Sequence, residues 1–456
     1  MLFSPLTLRG VWKHARMFFK PARAPGEPER DHPVAPRTRG GEEVPMSTGK
    51  LLWLLAVAAG ASVASLYYCQ PLLALLAADF STTERGAGLV PTLTQAGYAA
   101  GMLLVVPLGD TAERRRLIVL AALCSAAALL AVAAAPSLAF LCAASFALGL
   151  VSVVPQLAVP FAAGIVPAAE RGRSVGKVMS GLLVGILLSR TVSGLVGAHL
   201  GWRAIYLIAA AVTLLLALAL RIFLPRQEPA LRLSYPRLLA SLPGLLREPL
   251  LRRHAILGAL ALAAFSAFWT TLTFLLEAPP FRLGSDAAGA FGVVGVAGAL
   301  AAPFAGRLAD RIGTRAVNGL ALLLVLVSYC VFAAASTSLV LLGVGVVLLD
   351  LGVQANHISN QTRILGLSAD ARNRLNSVYM AIYFTGAAAG SALSSHAYAS
   401  WRWAGVSALG IGLSLLGLAA FFTLDSGAAK EADAAATRSR EAETFPHSRP
   451  AGDTLH

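Results

Sequence analysis

The chain has 456 residues, 57% hydrophobic and only 13% charged, with a mean hydropathy of +0.69 and a formal net charge of +14. A soluble chain is about half apolar and a quarter charged, so this composition cannot cover a water-facing surface. The basic excess does not mark a nucleic-acid binder, because the arginines stand in short clusters between long apolar runs, as at Arg114, Arg115 and Arg116.

The first 49 residues are polar, rich in Pro and Arg, and have no apolar run long enough for a signal-peptide core. They read as an unstructured extension, and Met46 offers a second start. A bilayer core about 30 Å thick takes roughly 20 apolar residues per helix. On that measure spans 1 to 6 lie near 51–78, 87–108, 117–136, 138–166, 174–198 and 202–224. Spans 7 to 12 lie near 254–276, 287–306, 317–336, 339–364, 375–397 and 404–424. The expected fold is an all-α polytopic membrane protein of twelve transmembrane helices in two six-helix bundles, residues 50–225 and 254–425. A linker over 226–253 joins them, with a surface helix over 237–253. A second unstructured segment covers 426–456.

An even span count puts both termini on one side. Loops on one side of the expected membrane carry nineteen basic residues against four, Arg85, Arg203, Arg282 and Arg402, on the other. Basic loops stay cytoplasmic, so both termini are read as cytoplasmic. Cys69, Cys124, Cys142 and Cys330 all fall in apolar runs without metal-ligand or redox spacing and read as small buried hydrophobes. No metal or cofactor is expected, and the chain has no Gly-x-Ser-x-Gly, His-Glu-x-x-His or phosphate-cradling motif on which enzyme chemistry could run.

The two halves repeat at an offset of about 200 residues. Asp110 to Arg115 corresponds to Asp310 to Arg315, Arg171-Gly172-Arg173 to Arg372-Asn373-Arg374, Gly185 to Gly386, and Trp202-Arg203 to Trp401-Arg402. The bundles are therefore pseudo-symmetric copies of parallel topology, as in transporters that rock around a midplane site. The stretch Gly306-Arg307-Leu308-Ala309-Asp310-Arg311-Ile312-Gly313-Thr314-Arg315 resembles the signature loop of the major facilitator superfamily, Gly-x3-Asp-Arg-x-Gly-x-Arg. The first-half copy around Asp110, Arg114 and Arg115 has Val106 and Glu113 where the signature has its glycines. Leu66 to Leu73 and Met179 to Leu183 are similar to bacterial inner-membrane sugar-efflux and drug:proton antiporters.

The resemblance implies a proton-coupled transporter of a small organic solute in a bacterial inner membrane, acting as a monomer, with the solute, protons and the lipid bilayer as its partners. It implies a cytoplasmic gate at Asp110, Arg114 and Arg115 and at Gly306, Asp310, Arg311, Gly313 and Arg315. Export is the first reading. Antiporters of the superfamily place Gly-Pro where this chain has Ser189-Arg190, so import of an organic anion with protons stands as the alternative, and a non-transporting receptor or scaffold as a third reading.

Two charges fall near the middle of spans. Asp350 in span 10 costs roughly 2.5–3.5 kcal/mol there, and a residue so placed is suited to loading and unloading a proton. Gln354, His357 and Gln361 follow it on one helix face, and His357 is a candidate relay. Arg190 in span 5 lies at a similar depth and is expected to pair either with Asp350 or with a substrate carboxylate. Candidate cavity residues are Tyr67, Tyr68, Gln70, Gln95, Tyr98, Gln156, Phe268, Trp269, Thr270, Thr273, Gln354, Tyr379 and Tyr383. Gly97-x3-Gly101 and Gly386-x3-Gly390 are expected close-packing points between helices.

Overall fold

A computed structural model describes residues 46–227, 234–300, 308, 311–368 and 371–444, the backbone alone at 296–300 and 424–444. Gly306 and Asp310 of the signature loop lie outside the described residues. No strand occurs among those described, and each of the twelve expected spans coincides with helix there. Nine described helices are long and apolar enough to cross a membrane. One of them, Arg372–Thr444, merges two helices across a break at Trp401 and Arg402, while span 1 is made of shorter helices and the described part of span 8 is the helix Ser285–Leu300.

Large apolar side chains face outward, as a lipid solvent requires: in Trp202–Phe223, Leu215 is 67% and Leu218 57% exposed. Span 7, Pro249–Glu277, is the opposite case and is buried along nearly all its length. The cysteines divide between these environments. Cys69 and Cys142 are buried, but Cys124 and Cys330 lie on outward faces, which corrects the reading of all four as buried. An apolar run has an outward side wherever its helix meets lipid.

Repetition in the sequence is repetition in the packing. Span 1 packs on span 5 and span 7 on span 11. In both pairs glycines bring backbones together: a Cβ on Gly185 would stand 2.2 Å from the Gly60 carbonyl oxygen, and one on Gly386 2.2 Å from that of Ala259. Gly97 and Gly101 make the same kind of approach to span 4, at Phe146 and Leu150. Span 4 and span 10 each open on a serine cap, Ser137 accepting from the Phe140 N–H and Ser338 from the Leu341 N–H. Between the bundles span 5 packs on span 8 and span 2 on span 11, contacts that the twofold relation exchanges.

Several boundaries differ from the sequence reading. Span 1 is interrupted: helix Thr48–Ala64 gives way to turns and a short 3-10 segment, Gln70–Leu72, before Leu73–Asp79. Pro71 lacks the N–H that a continuous helix needs. Span 4 breaks likewise between Leu138–Val151 and Val154–Gly164, ahead of Pro155. The two breaks meet through the Ser65 and Ser152 hydroxyls, 3.1 Å apart. The linker helix runs over Tyr235–Leu245, and residues 249–253 belong to span 7, whose helix starts on Pro249. Helix also continues to Thr444, where an unstructured tail is expected from 426 onward; that stretch is rich in Ala and free of proline.

Candidate functional site

The break in span 1 delivers Tyr67 and Gln70 to Arg190. The Arg190 Nε donates to Gln70 Oε1 at 2.7 Å, and the guanidinium carbon lies 4.1 Å from the Trp269 ring centre, 4.7 Å from Tyr67 and 5.3 Å from Phe265. Aromatic faces attract a cation, so spans 1, 5 and 7 hold the guanidinium in place with the charge itself unneutralised by a bonded acid. Arg190 is 2% exposed.

Asp350, on span 10, is 5% exposed and lies against span 8. That helix presents glycines on one face: a Cβ on Gly292 would meet Arg190 Cβ at 3.1 Å, and one on Gly295 would meet Asp350 Oδ2 at 3.3 Å. The two glycines stand three positions apart on span 8, so that helix carries the stem of Arg190 and the Asp350 carboxyl against one glycine face. They act on each other electrostatically, yet no hydrogen bond joins them, and Arg190 Nη2 and Asp350 Oδ2 are both buried without a partner. The expected pair is thus two charges in one field rather than a closed salt bridge.

The other candidates fall into three groups. At mid-depth Gln95 accepts from the Ser391 hydroxyl at 3.0 Å and donates to Ser266 at 3.3 Å, while Thr270 and Ser391 stand 2.9 Å apart, and Thr273 donates to the Pro71 carbonyl. Nearer the arginine-rich side, Tyr98 sits 4.5 Å from the Phe384 ring and bonds Gln156, and Gln156 accepts from Asn376, which in turn accepts from Gln361. His357 bonds the Tyr379 hydroxyl at 2.9 Å and lies against the Tyr379 and Tyr383 rings. Gln354 is half-buried on the same helix. Two candidates go elsewhere. Tyr68 packs edge-on to Tyr206 within the first bundle, and Phe268 stacks on Phe332 in the core of the second.

At the arginine-rich end Asp110 Oδ1 accepts from Arg114 at 3.2 Å and from Asn373 Nδ2, at the start of span 11, at 2.9 Å. The second bond crosses from one bundle to the other. Arg115 turns away and donates to the Arg221 carbonyl. In the second half Arg311 is exposed, and Gly313 takes φ +86°, a left-handed turn that starts the helix Thr314–Ala334 beside Arg315. Glu113 in the first half has φ −63°, so no glycine is needed there, which accounts for the departure from the motif. At the far end Arg402 bonds Glu84 across the bundles at 2.5 Å. The neighbouring Asp79 is held below the usual carboxylate range by the Trp202 indole and Arg203. Spans 2 and 11 are therefore bridged from one end to the other.

A buried asparagine network lies outside the candidate residues. Asn318 donates to Asn360, Asn360 to Asn356 and Asn356 to Asn318, at 2.7, 3.0 and 2.6 Å, and His254 bonds Asn360 at 2.8 Å. Asn356 and Asn360 are four apart on one helix, a signal visible in the sequence, but the stripe counted from Asp350 runs along the adjacent line of residues.

Two pseudo-symmetric helical bundles with buried charges between them define a polytopic membrane transporter. The sequence profile of the Major Facilitator Superfamily matches residues 52–298 and 255–450, and the chain belongs to that superfamily. It is 44% identical over 369 residues to the uncharacterized transporter YgaY of Escherichia coli O157:H7, covering 81% of this chain and 94% of that one. It is 31% identical over 223 residues to a chloramphenicol resistance protein of Streptomyces lividans, covering 48% and 57%. The nucleoside transporter NupG shares the fold, with a TM-score of 0.69 at 14% identity over 83% of this chain and all of that one.

Proposed function

We propose that the protein exports a small organic solute in exchange for protons, by alternating access, in a bacterial inner membrane with both termini cytoplasmic. The observation that carries this reading is the pair of buried charges, Arg190 on the first bundle and Asp350 on the second, both set against the glycine face of span 8 and not bonded to each other. A lone charge in a membrane interior costs several kcal/mol. Two opposite charges in one field lower that cost for each other, and a proton arriving on Asp350 removes half of the balance. The two bundles then have a reason to change their relation on protonation, which is what coupling requires.

Asp350 is the proton-loading group and Arg190 its counter-charge. Asp110, Arg114 and Asn373 latch the cytoplasmic end, with Arg311, Gly313 and Arg315 as their second-half counterparts. His357, hydrogen-bonded to Tyr379, is the candidate relay toward the cytoplasm. The chloramphenicol resistance relative supports export. Import of an organic anion with protons is the second reading, favoured by the free Nη2 of Arg190. The test is flux in proteoliposomes under an imposed pH gradient across a panel of drugs, sugars and organic acids. Export predicts movement of a solute toward the acidic side; movement with the protons supports the second reading, and flux indifferent to the gradient overturns proton coupling.

A further inference from the structure

Four buried polar atoms without a partner belong to Arg190, to the two residues at its guanidinium and to the acid whose field it shares: Arg190 Nη2, Gln70 Nε2, Trp269 Nε1 and Asp350 Oδ2. Their residues are 2%, 1%, 2% and 5% exposed. Buried polar groups in native proteins are nearly always bonded, and each that is not costs about 1–3 kcal/mol. Four in one field, with three of them N–H donors and one an acceptor, point to a ligand of the opposite pattern.

Charge narrows the class further. Arg190 and Asp350 carry one positive and one negative charge, and the groups around them, Gln70, Tyr67, Phe265, Trp269 and the glycines of span 8, add none. The other ionisable groups acting on Arg190 are Tyr67 and Cys69 of span 1. While Asp350 is ionised, a carboxylate brought here leaves a net negative charge inside the membrane and an ammonium a net positive one, each disfavoured by several kcal/mol. An uncharged ligand leaves the balance intact. The walls are aromatic, which selects a flat ring that can stack against them.

We infer, resting on the transport reading above, that the solute is an uncharged aryl compound bearing several acceptor oxygens, such as carbonyl, sulfonyl or ether, and one hydroxyl or amide N–H donor. Its oxygens take the N–H groups of Gln70, Arg190 and Trp269, and its donor takes Asp350 Oδ2. A proton on Asp350 removes that acceptor, so proton and solute compete for one atom, as exchange demands.

The experiment uses full-length protein in detergent with no gradient and a set of aryl compounds, each in three forms on one ring: 4-acetyl- and 4-methylsulfonyl-benzyl alcohol, the matching benzoates and the matching benzylamines. Calorimetric titration is expected to show the alcohols binding at least about tenfold more tightly than the charged forms. Asp350→Asn takes away the negative charge, so it is expected to weaken the alcohols and make the benzoates the preferred form. Trp269→Phe keeps a ring and loses the N–H, and is expected to weaken the alcohols about three- to tenfold while the protein remains folded. Benzoates binding as tightly as alcohols to the unaltered protein, an unchanged order in Asp350→Asn, an unchanged affinity in Trp269→Phe, or no alcohol binding at all overturns the inference. Gradient-driven flux with the wrong binding order leaves the transport reading standing and removes only the ligand class. The right binding order without gradient-driven flux does the reverse.

Discussion

Asp110 shows how one carboxylate serves two bundles. It is 7% exposed and accepts from Arg114 in its own loop and from Asn373 on the other bundle. Asp110→Asn keeps the shape but weakens a charge-assisted bond to a neutral one, so transport is expected to fall several-fold with the amount of protein in the membrane unchanged, as immunoblots beside uptake assays can measure. The asparagine ring has a structural cost instead. Asn360→Ala leaves the His254, Asn318 and Asn356 groups that faced it without their bonds, and is expected to destabilise the protein by about 1–3 kcal/mol, seen as a lowered melting temperature in detergent.

Among the elements, span 5 carries a built-in control. Gly185 lies against the Gly60 carbonyl, whereas nothing stands within 4 Å of a Cβ placed on Gly176 in the same helix. Gly185→Ala forces spans 1 and 5 apart at a cost of about 1–3 kcal/mol, while Gly176→Ala gains about 0.5–1 kcal/mol from lower backbone entropy. Melting temperatures of the two variants are therefore expected to move in opposite directions.

The same helices show what a sequence discloses. Span positions were legible because hydropathy is a property of whole segments, and the Gly386 and Gly390 contacts were legible because small residues four apart mark one face. The breaks at Ser65 and Ser152 were not, since a proline inside an apolar run is tolerated in membranes as often as it interrupts them. Arg190 and Asp350 stood out as charges in apolar surroundings. Phe265, Ser266 and Ser391 did not, because an aromatic or a serine on a buried helix reads the same whether it faces lipid, core or site. Asn373 matches Gly172 in the repeat, but that correspondence does not disclose that its amide crosses to Asp110.

At the scale of the molecule, the linker helix Tyr235–Leu245 touches both bundles, Tyr235 donating to the Leu104 carbonyl and Ser241 accepting from Arg374. The bundles are thus tied on the arginine-rich side by a strap as well as by the bonds of spans 2 and 11. Conversion of a proton gradient into movement of the solute by the two buried charges is put to the test by Asp350→Asn in proteoliposomes. Solute carried by the unaltered protein is assayed with the gradient imposed and then as exchange between equal pH on both sides. Asp350→Asn is expected to lose gradient-driven accumulation while still exchanging solute at equal pH; gradient-driven accumulation that survives the substitution overturns proton loading at Asp350.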